Sequence, residues 1–360
     1  MKRLSNGQTS NDFNFNAARK TLDRVLAEET EALRNHLAGR TSLAPAAEAL
    51  AGFLSQPGKR IRPLTFLAGF DLLTAPDQRS RPPLDVACAL ELFHAFILIH
   101  DDIIDQSDQR RGRPSLHRRL ADGDSDGTGE ASALVLGDIV SAWANGLFLR
   151  DGLPAKPSLA ALRYHLEVAR DTGIGELMDI RHAAQSPARV PPESVLETYH
   201  LKTTRYTFEA PLVLAGILTE APAEWFPAVT EVCRPLGTAF QLENDLNEVE
   251  MLVAGAIAES DFRESSLSLP IVRLAQWKPT GVSPQSATQW NGEGEGLRRA
   301  VVESDMVEVT RREIEELFAE ADTALRSGPL PKPLQSGLGR ILAFIKENRS
   351  SASRPAVASQ

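Results

Sequence analysis

Residues 92–105 read Leu92-Phe93-His94-Ala95-Phe96-Ile97-Leu98-Ile99-His100-Asp101-Asp102-Ile103-Ile104-Asp105, an apolar run that ends in three aspartates. Wound as a helix at about 100° per residue, it sets Asp101 and Asp105 on one face a turn apart, with His94 about two turns upstream on nearly the same stripe. Carboxylates beside so apolar a run are costly unless cations compensate them. Two of them at this spacing can hold Mg2+, which takes few protein ligands and fills its other positions with water and phosphate oxygens. The competing reading is a helix end with solvated aspartates, although negative charge at a helix C-terminus opposes the macrodipole.

On either side of this run, apolar residues recur at three- and four-residue spacing through 17–39, 45–54, 63–75, 84–105, 130–149, 158–183, 194–218, 224–252, 297–325 and 335–347. With almost no alternating strand pattern, this predicts an all-α fold of about ten or more helices. Breaks are expected at Pro57-Gly58, Pro82-Pro83, Asp122 to Gly129, Pro187 to Pro192 and Lys278 to Gly296. None is long enough to require a domain boundary, so residues 1–360 are read as a single domain with its core in about 17–350. The ends, 1–14 and 349–360, are expected to be flexible, and the Gly, Ser, Pro and Gln-rich stretch 278–296 to be a surface loop. An all-helical domain must place polar chemistry in the bundle interior or at its mouth, where carboxylates on facing helices build metal sites.

At 42% hydrophobic and 24% charged residues the chain can bury a large aliphatic core. No apolar run reaches the roughly 18 residues of a membrane span and the first residues carry no apolar signal region, so a cytoplasmic location is expected. Cys88 and Cys233 lie in apolar helix-like surroundings, which favours buried thiols over a disulfide or a metal site. A net charge of −9 argues against a nucleic-acid binder. Yet Arg110, Arg111, Arg113, Arg118 and Arg119 crowd one stretch and Lys59, Arg60 and Arg62 another, patches that suit small anions unless they are ordinary solvated charge.

A second acidic helix follows at Phe240-Gln241-Leu242-Glu243-Asn244-Asp245-Leu246-Asn247-Glu248, where Gln241, Asn244, Asp245 and Glu248 fall at i, i+3, i+4 and i+7 on one face. Alone it reads as an exposed amphipathic face; paired with the first aspartate helix it gains weight as the second half of a metal site.

Asp101-Asp102-Ile103-Ile104-Asp105 followed by Arg110-Arg111-Gly112 resembles the first aspartate-rich motif of the trans-prenyl diphosphate synthases. Gly58-Lys59-Arg60-Ile61-Arg62-Pro63 looks like that family's GKxxRP loop, Leu136-Gly137-Asp138 like its GD helix, and Lys202-Thr203 like its Lys-Thr pair, in matching order across roughly residues 17–350. The resemblance implies an isoprenoid-synthase-type bundle around a central active-site cavity, working as a homodimer. It implies that Asp101 and Asp105 bind two or three Mg2+ ions on the diphosphate of an allylic substrate, with Asp102 beside them and Arg110 on the same diphosphate. Lys59, Arg62, His94 and Arg111 would hold the partner substrate, isopentenyl diphosphate, while Lys202, Thr203, Gln241 and Asp245 complete the allylic side. Catalysis would rest on Asp101, Asp102, Asp105, Arg110, Lys202 and Asp245, with Asn244 and Glu248 joining the metal set.

The chain departs from the family in three places. The second motif, usually DDxxD, reads Asn244-Asp245-Leu246-Asn247-Glu248; the GKxTLP segment reads Ser265-Ser266-Leu267-Ser268-Leu269-Pro270; and the GQ ahead of Leu177-Met178-Asp179 reads Gly175-Glu176. Ser266 cannot supply the lysine's charge. Chain elongation to a C15 or C20 product ranks first. A synthase-like terpene cyclase or a prenyltransferase to another acceptor ranks second, and a non-catalytic regulatory subunit third. The complete basic set favours the first, because a cyclase has no use for a second diphosphate pocket. Phe96 and Ile97, five and four positions before the first aspartate, are expected at the floor of the product tunnel, or else are ordinary core residues.

Overall fold

The helix that carries the aspartates, α4 (Leu84–Ile104), is buried almost without interruption from Leu84 to Phe93 and then opens, so that among its last residues Ile97, Ile99 and Asp102 are buried while Asp101 is only partly so. The structure, a computed structural model, describes residues 13–75, 82–121, 127–150, 152–256, 267–276 and 296–349.

Helix α1 (Phe15–Ala38) starts at Asn14, whose side chain accepts the Ala17 amide at 2.9 Å, an N-cap that satisfies one orphan donor. Helix α2 (Ala44–Leu54) follows, and the Pro57-Gly58 break leads into α3 (Ile61–Leu73), which tolerates Pro63 in its first turn. After α4 come a two-residue hairpin, β1 (Gln109–Arg110) with β2 (Arg113–Pro114), the short α5 (Leu116–Leu120), α6 (Thr128–Leu147) and α7 (Ala155–Ala183). These are the only strands among the described residues. The chain continues through α8 (Pro192–Tyr199), a π-helical stretch (His200–Glu209), α9 (Ala210–Leu218) and α10 (Phe226–Ala254). Helices α11 (Leu269–Gln276), α12 (Leu297–Glu303), α13 (Met306–Ser327) and α14 (Lys332–Arg349) complete the described chain.

The all-α expectation holds, with local differences. Residues 194–218 are not one helix: the π-helical stretch interrupts them, and apolar spacing cannot report a local change in residues per turn. Residues 297–325 divide where Ser304 adopts an extended conformation, with ψ 167°. Helices α5 and α11 are too short to show a period. Ser265 and Ser266, and residues 278–295 of the expected loop, lie outside the described residues.

Two apolar clusters share α3 between them. Phe66 and Leu67 join Leu22, Leu33, Phe93, Leu147 and Phe148 on one side, while Leu64 and Ala68 join Phe208, Leu236, Phe318 and Ile341 on the other. Burial of this aliphatic surface at ~25 cal/mol per Å2 is the main force holding the helices together. It leaves α4, α7, the π-helical stretch and α10 to enclose the polar groups.

Candidate active site

The three aspartates of α4 diverge. Asp102 is 1% exposed and accepts two bonds from the Arg110 guanidinium, one from Nε at 2.7 Å and one from Nη2. The hairpin makes this possible: Arg111 and Gly112 have φ of 54° and 72°, the paired left-handed conformations of a tight two-residue turn, and the turn swings Arg110 back onto α4. Burial raises the Asp102 carboxyl while Arg110 pulls it down. Asp102, expected beside the metal-holding pair, lies next to Asp101 but is buried and turned onto Arg110.

Asp101 and Asp105 face a common mouth. Burial, with repulsion from Glu176 and from Asp105, pushes the Asp101 carboxyl up to about 7 against the pull of Lys202; Asp105 is raised by burial and by Glu176 and Asp179 against the same pull. Lys202 Nζ lies 2.7 Å from Asp179 Oδ2 and 2.8 Å from Glu176 Oε2. Burial alone would lower its pKa, but Asp179, Asp101 and Glu176 outweigh that and hold it raised.

On α10, Asp245 is buried and accepts from the Tyr199 hydroxyl and, at 2.9 Å, from Gln241 Nε2. Burial pushes its carboxyl up to about 7 in spite of both bonds. Gln241 Oε1 receives the Thr203 hydroxyl at 3.2 Å, and the Tyr199 oxygen receives the Leu269 amide at 2.7 Å, so one relay ties the π-helical stretch, α10 and the start of α11. Glu248 is exposed at the rim, where desolvation and the nearby charge of Asp105 raise its carboxyl. Asn244 is half-buried one turn before it. The two acidic helices therefore do face one space, with α7 as a further wall.

The basic residues gather on another side. Arg62 Nη2 donates to the Tyr206 hydroxyl at 2.7 Å and to Thr207 Oγ1 at 2.8 Å, and its guanidinium lies 4.2 Å over the Tyr206 ring; its buried Nε finds no partner. His94 Nδ1 is 3.5 Å from the same hydroxyl. Desolvation first, then the charges of Arg62, Arg111, Arg110 and Arg60, push His94 well below its ordinary value and keep it neutral. Arg111 Nη1 donates to the Pro57 carbonyl at 2.8 Å, and desolvation lowers the proton affinity of both Arg111 and Lys59. Arg60 is neutralised by Glu91 at 2.6 Å and Asp23 at 3.0 Å. Arg62 and Arg111, bonded to hydroxyl and carbonyl oxygens, leave two guanidinium charges around one neutral imidazole, the composition of an anion site.

The structure brings Arg62, His94 and Arg111 together on one side and Asp101, Asp105, Lys202, Thr203, Gln241, Asn244, Asp245 and Glu248 on the other, while Lys59, three residues before Arg62, feels the charge of Glu243 on α10. Sequence reasoning assigned no role to Glu176, Asp179, Tyr199 or Tyr206. The first two stand in the segment already marked by Gly175-Glu176, and the tyrosines sit three before and four after Lys202.

Among the described residues no three Asp, Glu, His or Cys groups are close enough to hold an ion by themselves. That fits Mg2+, which needs only one or two carboxylates and leaves positions for phosphate oxygens. The raised Asp101, Asp105 and Asp245 carboxyls, crowded by like charge, are what such an ion would relieve.

Comparison with known proteins gives the class. The polyprenyl synthetase family model matches residues 45–288, and the chain belongs to this family. Geranylgeranyl pyrophosphate synthase 11 of Arabidopsis thaliana, a chloroplastic protein, is 30% identical over 234 residues, 62% of this chain and 62% of that relative. Octaprenyl diphosphate synthase of Escherichia coli is 27% identical over 281 residues, 76% of this chain and 80% of the relative. A geranylgeranyl pyrophosphate synthase from Corynebacterium glutamicum, crystallised with isoprenyl diphosphate and magnesium, superposes with a TM-score of 0.77 at 25% identity, covering 94% of this chain and 100% of that one.

Proposed function

We propose that the protein is a short-chain trans-prenyl diphosphate synthase that joins isopentenyl diphosphate to an allylic diphosphate and releases a C15 or C20 product. The observation that carries this reading is the pairing of an acidic mouth with a separate basic site in one bundle, one for each diphosphate.

In this reading Asp101 and Asp105 of α4, with Asp245, Asn244 and Glu248 of α10, would hold two or three Mg2+ ions, which supply charge neutralisation to the departing diphosphate. Lys202 and Arg110 add fixed positive charge where the allylic C–O bond breaks and both bonding electrons leave with oxygen. The apolar wall of α4 keeps water from the allyl cation. Lys59, Arg62, neutral His94 and Arg111 hold isopentenyl diphosphate so that its double bond meets the cation and forms the new C–C bond. A proton is then lost to the released diphosphate, so no side-chain nucleophile is required.

The family resemblance also implies a homodimer. Helix α7 exposes Leu159, Leu166, Ile174, Leu177 and Ile180, which fall within about 120° of helix surface, an apolar face of the kind partners cover. Among the described residues no helix is long and apolar enough to cross a membrane.

Asn244 and Glu248 in the second motif support a second reading, prenyl transfer to another acceptor or cyclisation. The test incubates the protein with Mg2+ and labelled isopentenyl diphosphate plus dimethylallyl, geranyl, farnesyl or geranylgeranyl diphosphate, each allylic substrate also alone. Longer diphosphates formed only with both substrates are expected. Cyclic products from an allylic substrate alone, or no turnover, would overturn the synthase reading.

A further inference from the structure

We propose that Glu176 is a positioning residue that holds Lys202 against α7 and thereby sets how tightly the allylic site takes its diphosphate. The inference rests on the reading of Lys202 as a diphosphate ligand.

The close approach of two backbones creates the contact. A Cβ at Gly175 would stand 2.5 Å from the Lys202 amide nitrogen and 2.9 Å from its Cα, so only glycine lets α7 lie this near the π-helical stretch. The next residue, Glu176, is then delivered beside the Lys202 side chain. Nζ is shared between Glu176 at 2.8 Å and Asp179 at 2.7 Å, and the three side chains are only 21%, 18% and 11% exposed for Lys202, Glu176 and Asp179. At that burial solvent screens the charges weakly. One ammonium therefore faces two carboxylates and the group carries a net charge of −1, where the glutamine implied by the family pattern would leave it neutral.

Other cations of the stretch do not relieve this excess. Arg205 is engaged by Asp171 and Glu209. An incoming diphosphate must draw Lys202 away from a carboxylate that competes for the same donors, and must do so in a field Glu176 makes more negative. The ammonium is thus kept in place before substrate arrives but released only at a cost in affinity. With serine at position 266, where the family pattern has lysine, Lys202 carries more of the remaining positive charge, so restraint on it weighs more heavily.

The test is calorimetric titration of inorganic pyrophosphate at saturating Mg2+ into the wild-type protein, Glu176→Gln, Lys202→Met and the double variant, with folding checked by circular dichroism. Glu176→Gln is expected to tighten pyrophosphate about three- to tenfold, in the lower part of the range for directly coupled neighbours, and the gain should vanish in the Lys202→Met background. In turnover the same change should lower KM for the allylic substrate and leave KM for isopentenyl diphosphate unmoved, a separation that does not depend on Lys202→Met folding. Unchanged binding overturns the inference. Weaker binding does so too, by making Glu176 a holder of the ions. A gain that persists without Lys202 would reduce the effect to bulk charge. A wild-type protein that binds no pyrophosphate would instead overturn the allylic-site reading, and this inference with it.

Discussion

His165 is a buried imidazole that the proposed chemistry does not use. It is 1% exposed, with ring centroids of Phe93 and Phe148 each 4.8 Å away, and burial pushes its pKa down to about 4 from an ordinary 6.5. The folded protein keeps it neutral where the unfolded chain would protonate it, so stability is undiminished above about pH 6.5 and is lost as pH falls toward 4. Replacing His165 by Phe should flatten urea-denaturation stability between pH 7 and pH 5 by roughly 2 kcal/mol; an unchanged slope would show that the imidazole is not shielded as described. Phe96 is half-buried, with its ring 5.7 Å from Phe93 and 4.5 Å from His100. If it forms the floor of the product tunnel, Phe96→Ala should lengthen the product by one or more C5 units in the elongation assay; the same product distribution would make it an ordinary core aromatic. At this scale Asp101 and Asp105 were legible, because their spacing alone puts them on one face. Asp102 and Glu176 were not. The direction of Asp102 depends on a hairpin turn, and the role of Glu176 depends on how closely another backbone approaches Gly175.

The π-helical stretch decides which side chains of the Lys202 region enter the site, and α10 must fit against it. Gly237 marks the contact: a Cβ there would lie 2.2 Å from Thr204 Oγ1 and 2.6 Å from Thr204 Cβ. Thr204 is itself fully buried and donates to the Tyr199 carbonyl at 3.2 Å, so it has nowhere to turn. Gly237→Ala should force α10 outward, stretch the Thr203–Gln241–Asp245 relay and cost about 1–3 kcal/mol of stability, with a fall in activity larger than the fall in stability explains. Gly146 on α6 is the contrast: nothing lies within 4 Å of its would-be Cβ, so Gly146→Ala should be neutral or stabilising by up to about 1 kcal/mol. Comparable effects at both sites in thermal denaturation would refute the packing argument. The helices α1, α2, α4 and α6 were readable within a few residues because an amphipathic stripe records which face is buried. The π-helical insertion and the break at Ser304 leave no such record, since they alter backbone hydrogen bonding without altering which residues are apolar.

Among the described residues, α3 and α9 each contribute to both apolar clusters, while α7 leaves a row of apolar residues uncovered. Leu159, Leu166 and Leu177 are 56%, 48% and 60% exposed along one face of a helix whose other side carries Asp179 and Glu176 into the active site. The stripe was present in the periodicity of 158–183, but sequence spacing alone cannot say whether an apolar face meets the core or solvent. A second copy covering that face would bury these leucines and, because α7 also forms a wall of the catalytic cavity, would brace Glu176 and Lys202 from behind. Leu159→Glu with Leu166→Glu lies well along the helix from Glu176 and changes no residue of the site. Sedimentation should show the wild-type protein at twice the mass of one chain and the double variant at one, with elongation activity reduced because α7 has lost its support. A wild-type protein that sediments as a single chain would leave the exposed leucines without a partner, and an active monomeric variant would show that the site stands without that support.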